Sequence, residues 1–303
     1  MAFTLLRRAP ARLRPIELGL AASLVVLAGA AWVLTDNRMA GMDAGPGTDL
    51  GGLGWFVGIW VTMMAAMMLP SVSPMVLVFA RISRDRERRG HGFVPTWVFL
   101  AGYLIAWTAY GLVAYGIYRL LRWAVGGSLD WDGAGAWVAG GALLVAGIYQ
   151  LTPLKQVCLR HCRGPMHFAL HGWRDGRAGA LRMGTEHGAF CVGCCWGLML
   201  ALFALGVMSL VWMALIAVVI FAEKLLPAGE TFARVFAVAL LAGGIWVAAA
   251  PASVPGLVQP DSPAAQRARD RMMGMSPAMK PMTPMKPQPV PRMRSSMPDG
   301  SKP

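Results

Sequence analysis

Long apolar runs separated by short polar segments fill most of the chain. The runs cover approximately residues 16–34, 53–80, 95–121, 135–151, 187–222 and 232–250. A membrane-spanning helix needs about 20 apolar residues, and the fifth run is nearly twice that length, so we expect a hairpin of two spans turning near Gly206. The pattern predicts an all-α fold, a polytopic membrane helix bundle of about seven transmembrane helices, with the lipid bilayer as its first partner.

The polar segments between the runs indicate the orientation. Residues 81–92 and 152–186 are rich in arginine, whereas residues 36–54 and 122–134 carry little positive charge. Because basic loops stay on the cytoplasmic side, we expect a multi-pass protein of the bacterial cytoplasmic (inner) membrane with its N-terminus inside and its C-terminal tail outside.

Three regions follow from this arrangement. Residues 1–52 are predicted to hold a basic N-terminus, the first span and an outside loop. Residues 53–250 are predicted to form a six-span membrane domain that binds metal. Residues 251–303 are rich in Met, Pro and basic residues and lack apolar periodicity, so a disordered tail is expected there.

The composition excludes an ordinary soluble domain, since 56% of the residues are hydrophobic and only 14% are charged. The net charge of +13 lies mainly in loops and tails, which indicates topology signals. No nucleic-acid-binding motif is visible, so nucleic acid is not an expected partner. A P-loop is also absent from the sequence, which argues against ATP-driven pumping by this chain alone.

Residues 149–199 contain all five cysteines and four of the five histidines. They form a first Cys/His group (Cys158, His161 and Cys162) and a second Cys/His group (His187, Cys191, Cys194 and Cys195). An odd number of cysteines cannot pair completely, and reduced thiols are typical of a cytoplasmic face. The two groups therefore indicate metal or redox chemistry.

Helical spacing aligns the members of each group. If a helix begins near His187, the four side chains of the second group share one stripe, because residues four apart lie on the same face. Thr152 and Pro153 suit the N-cap and first position of a short helix that presents Cys158 and Cys162 on one face. We expect the two faces to meet at the inner membrane surface.

The types of candidate ligand narrow the choice of metal ion. Thiolates and thioethers favour Cu(I), whereas thiolates with imidazole also suit Zn(II). Four methionines of the second run stand in pairs at helical spacing, and they are candidate ligands as well as ordinary packing residues: Met63, Met64, Met67 and Met68. With the methionine-rich tail and the cysteines, they would form a graded copper path across the membrane.

Several strings carry a family resemblance: MMAAMMLPS, YQLTPLKQVCLRHCR, GAFCVGCCWGLM and GVMSLVWMALIAVVIFAEKLLP. Over about residues 50–250 the chain resembles a bacterial family of predicted metal-binding integral membrane proteins, catalogued as a domain of unknown function, with some members labelled copper chaperones. The resemblance implies a membrane protein that binds metal through six residues: Cys158, His161, Cys162, Cys191, Cys194 and Cys195.

The favoured function is copper handling, either by a transporter or by a membrane-bound chaperone that passes Cu(I) to a copper-accepting client protein. An enzyme is the less favoured class. One alternative is a membrane thiol-disulfide oxidoreductase that uses the Cys191/Cys194 pair. Another is an assembly factor stabilised by zinc. Outside the cysteine-rich stretch, Glu223 and Lys224 are predicted to pair with each other at a helix end.

Overall fold

The computed structural model describes residues 15–39, 50–125, 135–205 and 209–251, and every regular element within these ranges is helical. In chain order the α-helices are α1 (Pro15–Met39), α2 (Leu53–Arg88), α3 (Thr96–Val125), α4 (Gly135–Gln150), α5 (Pro153–Arg163), α6 (Pro165–His171), α7 (Gly176–Leu205), α8 (Leu210–Leu225) and α9 (Gly229–Ala249). The all-α prediction is confirmed. The predicted turn near Gly206 and the predicted tail beyond residue 251 lie outside the described residues.

The predicted number of spans is not confirmed. In the part of the chain that the structure describes, five helices are long and apolar enough to cross a membrane, namely α1, α2, α3, α7 and α9. The pair α4 and α5 passes the same test only as a unit bent by 66°. Both α4 and α8 have 16 residues. At a rise of about 1.5 Å per residue, each is roughly 24 Å long and falls short of a hydrocarbon core about 30 Å thick.

Helix α2 continues through two prolines and extends beyond its predicted end into the arginine-rich segment. Pro74 has no N–H for the carbonyl of Pro70, and the Ser73 hydroxyl donates to that carbonyl at 2.8 Å instead. The arginine-rich turns remain helical because they find partners. Arg81 donates to both carboxylate oxygens of the buried Glu17 at 2.6 and 2.7 Å, which fastens α1 to α2.

Helices α3 and α7 pack with their backbones in close approach. A Cβ at Gly184 would overlap the carbonyl of Phe99, and a Cβ at Gly102 would overlap the carbonyl of Leu181. Small residues permit such approach in membrane bundles. The contact brings Tyr103 of α3 beside the cysteines of α7.

The start of α7 differs from the prediction. The helix begins at Gly176, which has φ +76°, and not near His187. The extra turns contain an i,i+4 pair in which Arg182 donates to Glu186 at 2.9 Å. Because this pair supports the added turns, the second Cys/His group lies inside a long helix, about three turns from its start.

The two arginine-rich segments meet at one end of the bundle. Arg86 of α2 pairs with Asp175, in the segment before α7, at 2.8 Å. The indole N–H of Trp173 donates to Asp175 at 2.9 Å. This hydrogen bond, together with the charge of Arg86, lowers the pKa of the Asp175 carboxyl. Both segments therefore belong on the same side of any membrane that the bundle crosses.

Candidate metal centre

Three cysteines of α7 form a compact cluster of sulfur atoms, which we call the thiol cluster: Cys191, Cys194 and Cys195. Their Sγ atoms all lie within 4.8 Å of one another. The Sγ atoms of Cys194 and Cys195 are 3.3 Å apart. Each of the three residues is 1% exposed. The helical spacing seen in the sequence therefore produces a buried, sulfur-rich site, as expected.

Cys162 connects the two Cys/His groups. Its Sγ lies 3.7 Å from the Sγ of Cys194, across the interface between α5 and α7. Thr152 accepts from the backbone N–H of Lys155 at 3.3 Å and Pro153 follows it, so the predicted N-cap of α5 is confirmed. The two faces also meet, because α5 brings a fourth sulfur to the thiol cluster, and the position of this contact at the inner membrane surface stays a prediction.

A lysine and a tyrosine contact Cys191. Lys224 is 7% exposed, and its ammonium lies 3.0 Å from the Sγ of Cys191 and donates to the Ser71 hydroxyl at 3.3 Å. The Tyr103 hydroxyl lies 3.0 Å from the same sulfur. An ammonium in this position compensates the negative charge of a thiolate where the surroundings are poor in water.

The predicted pair between Glu223 and Lys224 is wrong. Glu223 pairs instead with Lys155 of α5 at 2.7 Å, and Gln150 donates to its other oxygen at 2.7 Å. Adjacent residues on a helix point in directions about 100° apart, so the two side chains reach different neighbours. Lys224 is left to contact Cys191, and Glu223 anchors α5.

Arg163 makes a second anchor between α5 and α8. Its guanidinium donates to the carbonyls of Glu223 at 2.7 Å, Leu226 at 2.7 Å and Pro227 at 3.0 Å. These carbonyls belong to the end of α8, where the last turn lacks helical partners. Both ends of α5 are thereby tied to α8, and Cys162, next to Arg163, is held against the thiol cluster.

His187 is buried beside the thiol cluster but outside its 4.8 Å group. It is 3% exposed, and the rings of Phe99, Tyr103 and Phe168 surround it. Its Nδ1 is buried and has no hydrogen-bond partner among the described residues. A buried ring nitrogen without a hydrogen-bond partner is uncommon, and its lone pair could bind a metal ion.

His161 and Cys158, the other members of the first group, lie elsewhere on α5. The ring of His161 stacks on Phe190 at 4.3 Å, and its Nδ1 lies 2.9 Å from the carbonyl of Val157. Cys158 packs against Gly193, where a Cβ would come within 2.7 Å of its sulfur. The structure brings neither residue into the three-cysteine group, and metal ligation by them stays a prediction.

The four methionines of the sequence prediction are buried in α2: Met63, Met64, Met67 and Met68. Of these, Met68 is connected to the thiol cluster through Ser71 and Lys224. The Ser71 hydroxyl lies 4.0 Å from the Met68 sulfur and also accepts from Lys224. That the four methionines bind metal stays a prediction.

A comparison with protein families bears on what this sulfur site does. A family model named PpoB2 and described as a copper chaperone matches residues 57–247. The chain belongs to this family. The matched range includes α5 and α7 complete, and so both Cys/His groups of this PpoB2 member. Searches of the curated proteins and of the solved structures gave no match.

Lys224 and Tyr103 are site residues that the sequence reasoning missed in this PpoB2 protein. Lys224 carried a signal, since an ionisable residue at the end of an apolar run is a functional candidate by default. Because the adjacent Glu223 offered a local ion-pair partner, nothing in the sequence indicated a more distant partner of Lys224. Tyr103 lies 88 positions before Cys191 and carries no local signal.

Proposed function

We propose that this chain is a membrane-embedded copper chaperone that holds Cu(I) on Cys191, Cys194 and Cys195 and passes it to a copper-accepting client. The observation that carries the proposal is the thiol cluster, in which three buried Sγ atoms lie within 4.8 Å of one another. Membership of a family described as copper chaperones supports the same conclusion.

Several physical features favour Cu(I). Thiolates are the soft donors that Cu(I) prefers, and the donors closest together are all sulfur atoms. If two of the three cysteines bind Cu(I) as thiolates at any one time, the complex has one net negative charge, which the ammonium of Lys224 balances. Leaving that charge unbalanced in a buried site would be costly. The third sulfur is then available for exchange.

Cys162 supports handover in preference to storage. It belongs to a separate helix, is less buried than the thiol cluster and lies 3.7 Å from Cys194. A sulfur in this position can bind the metal before another sulfur releases it. Cys158, His161, His187 and the methionines of α2 are proposed as additional ligands along the route.

We place the protein in the bacterial cytoplasmic membrane with its N-terminus inside and its C-terminal tail outside. The support is the positive-inside pattern together with the contact between Arg86 and Asp175, which joins the two arginine-rich segments. In this orientation the N-terminal end of α7 faces the cytoplasm.

Elemental analysis of the purified full chain tests the proposal. Wild type loaded anaerobically with Cu(I) is compared with the double variant Cys191→Ser and Cys194→Ser, and Ala201→Ser serves as a control with a hydroxyl added at a buried position of α7. We expect copper in wild type and control and its loss from the double variant. Equal copper in all three would contradict the proposal, and firmly bound zinc would favour the structural-zinc alternative.

A thiol-disulfide oxidoreductase is the second candidate, and the contact of Cys162 with Cys194 favours it. Their Sγ atoms are 3.7 Å apart, and a disulfide of about 2.05 Å needs only a small further approach. Oxidation would release two protons and pass two electrons to an acceptor. Replacing Cys194 with serine and recovering a mixed disulfide on Cys162 from metal-free protein would support this candidate.

A further inference from the structure

A cavity of about 210 Å³ lies beside the thiol cluster. Helices α2, α5, α7 and α8 and the first residue of α6 line it. Its lining consists of Ser71, Val72, Pro74, Met75, Cys162, Arg163, Pro165, His187, Lys224 and Leu225. Cys162 and Lys224 belong both to this lining and to the surroundings of the thiol cluster, so the cavity adjoins the sulfur site directly.

Three lining side chains carry donors of the kind that Cu(I) binds. Met75 offers a thioether, Cys162 a thiol and His187 an imidazole. Met75 is 2% exposed and His187 is 3% exposed. The Nδ1 of His187 has no hydrogen-bond partner in the part of the chain that the structure describes. A buried nitrogen without a partner, on a residue that shares its cavity with two sulfur-containing residues, points to a ligand that would bond to that nitrogen.

The remaining polar lining disfavours a hard cation. None of the lining residues is acidic, and Mg²⁺ and Ca²⁺ require oxygen ligands. The two lining cations are already engaged, since Lys224 contacts Cys191 and Ser71, while Arg163 donates to backbone carbonyls at the end of α8. The donors left to face an incoming ion are therefore soft.

We propose that this cavity is the port by which Cu(I) reaches the thiol cluster, with Met75, Cys162 and His187 forming an entry site. The inference rests on the proposed function, because Cu(I) is its cargo. Copper stays Cu(I) throughout. Cu(I) exchanges its bonds to Met75 and His187 for a bond to the Sγ of Cys194, the Cys194 thiol releases its proton to bulk solvent, and Cys162 remains bound across its 3.7 Å contact.

The kinetics of Cu(I) uptake test the port. The full chain in detergent micelles takes Cu(I) from a coloured Cu(I) chelator under anaerobic conditions, and the loss of colour gives the rate. Met75→Leu keeps the side-chain volume and removes the sulfur. Met213→Leu is the matched control, because Met213 is fully buried in α8 and does not line the cavity.

We expect Met75→Leu and His187→Gln to slow uptake roughly tenfold, or about 1.4 kcal/mol in activation free energy, with an unchanged final copper content. Met213→Leu should match wild type. A wild-type rate in Met75→Leu, or equal slowing in Met213→Leu, would overturn the port alone. Absence of any uptake by wild type would overturn the proposed function as well.

A second measurement uses wild type alone. During uptake, samples are quenched with iodoacetamide in a denaturant that exposes the buried thiols, and the cysteines that bound copper protects from alkylation are identified by mass spectrometry. If Cu(I) enters through the cavity, Cys162 should become protected from alkylation before Cys195, because Cys162 lines the cavity and Cys195 does not. Protection of Cys195 before Cys162 would overturn it.

Discussion

The buried ion pair between Lys155 and Glu223 should decide whether α5 stays against the thiol cluster. The two side chains are 0% and 1% exposed, and their charged atoms are 2.7 Å apart. Removing one partner of such a pair leaves a buried charge and costs about 3–5 kcal/mol. We expect Lys155→Met to lower the free energy of unfolding by about that amount, which is a large fraction of a typical stability of roughly 5–15 kcal/mol.

The assay is reversible unfolding in mixed detergent micelles, with alkylation of Cys162 as a local readout. The double variant Lys155→Met and Glu223→Gln removes both charges and keeps an amide beside Gln150, so it should recover more than half of the loss. Arg160→Gln is the surface control. The pair of Arg160 with Glu230 is 3.3 Å long with side chains 67% and 38% exposed. Its loss should cost at most about 1 kcal/mol.

Two results would refute this reasoning. One is a decrease of less than about 1 kcal/mol in the free energy of unfolding of Lys155→Met, because a buried carboxylate without its partner should destabilise the fold by more than that. The other is a double variant as unstable as the sum of its single variants, since coupled partners should not behave additively. Faster alkylation of Cys162 in Lys155→Met, but not in Arg160→Gln, is the expected local result.

Three further variants test separate parts of the site. Lys224→Met should weaken Cu(I) binding roughly tenfold or more in a competition titration, because the charge at Cys191 loses its compensation, and an unchanged affinity would contradict that role. Cys158→Ser should keep the wild-type copper content in elemental analysis, since its sulfur packs on Gly193, and loss of copper would make it a primary ligand. Gly184→Ala should lower the melting temperature in detergent, because its Cβ overlaps the Phe99 carbonyl, and a wild-type value would argue against the close contact of α3 and α7.

The helices and the local geometry of the cysteines follow from the sequence because they depend on neighbours close in the chain. Apolar runs locate the helices, Thr152 and Pro153 mark the start of α5, and i,i+4 spacing places Cys191 and Cys195 on one face. The start of α7 is less predictable, since Gly176 begins a helix in which charged residues support one another before the apolar run.

The partners of buried polar groups follow from packing between distant helices, which sequence periodicity does not encode. Glu223 had an adjacent lysine in the sequence but pairs with Lys155, 68 positions away. Lys224 reaches Cys191 across 33 positions. Met75 appears in the sequence as one apolar residue after a proline, and only the folded structure places it in the same cavity lining as His187.

The proposed function requires that copper binds to the sulfur atoms of the thiol cluster. Copper-edge X-ray absorption of the anaerobic, Cu(I)-loaded full chain measures the metal's oxidation state and its nearest atoms directly. We predict Cu(I) with a coordination shell dominated by sulfur, which is lost when Cys191 and Cys194 are both replaced by serine. A shell of nitrogen and oxygen in wild type, or an unchanged sulfur shell in the double variant, would contradict the account.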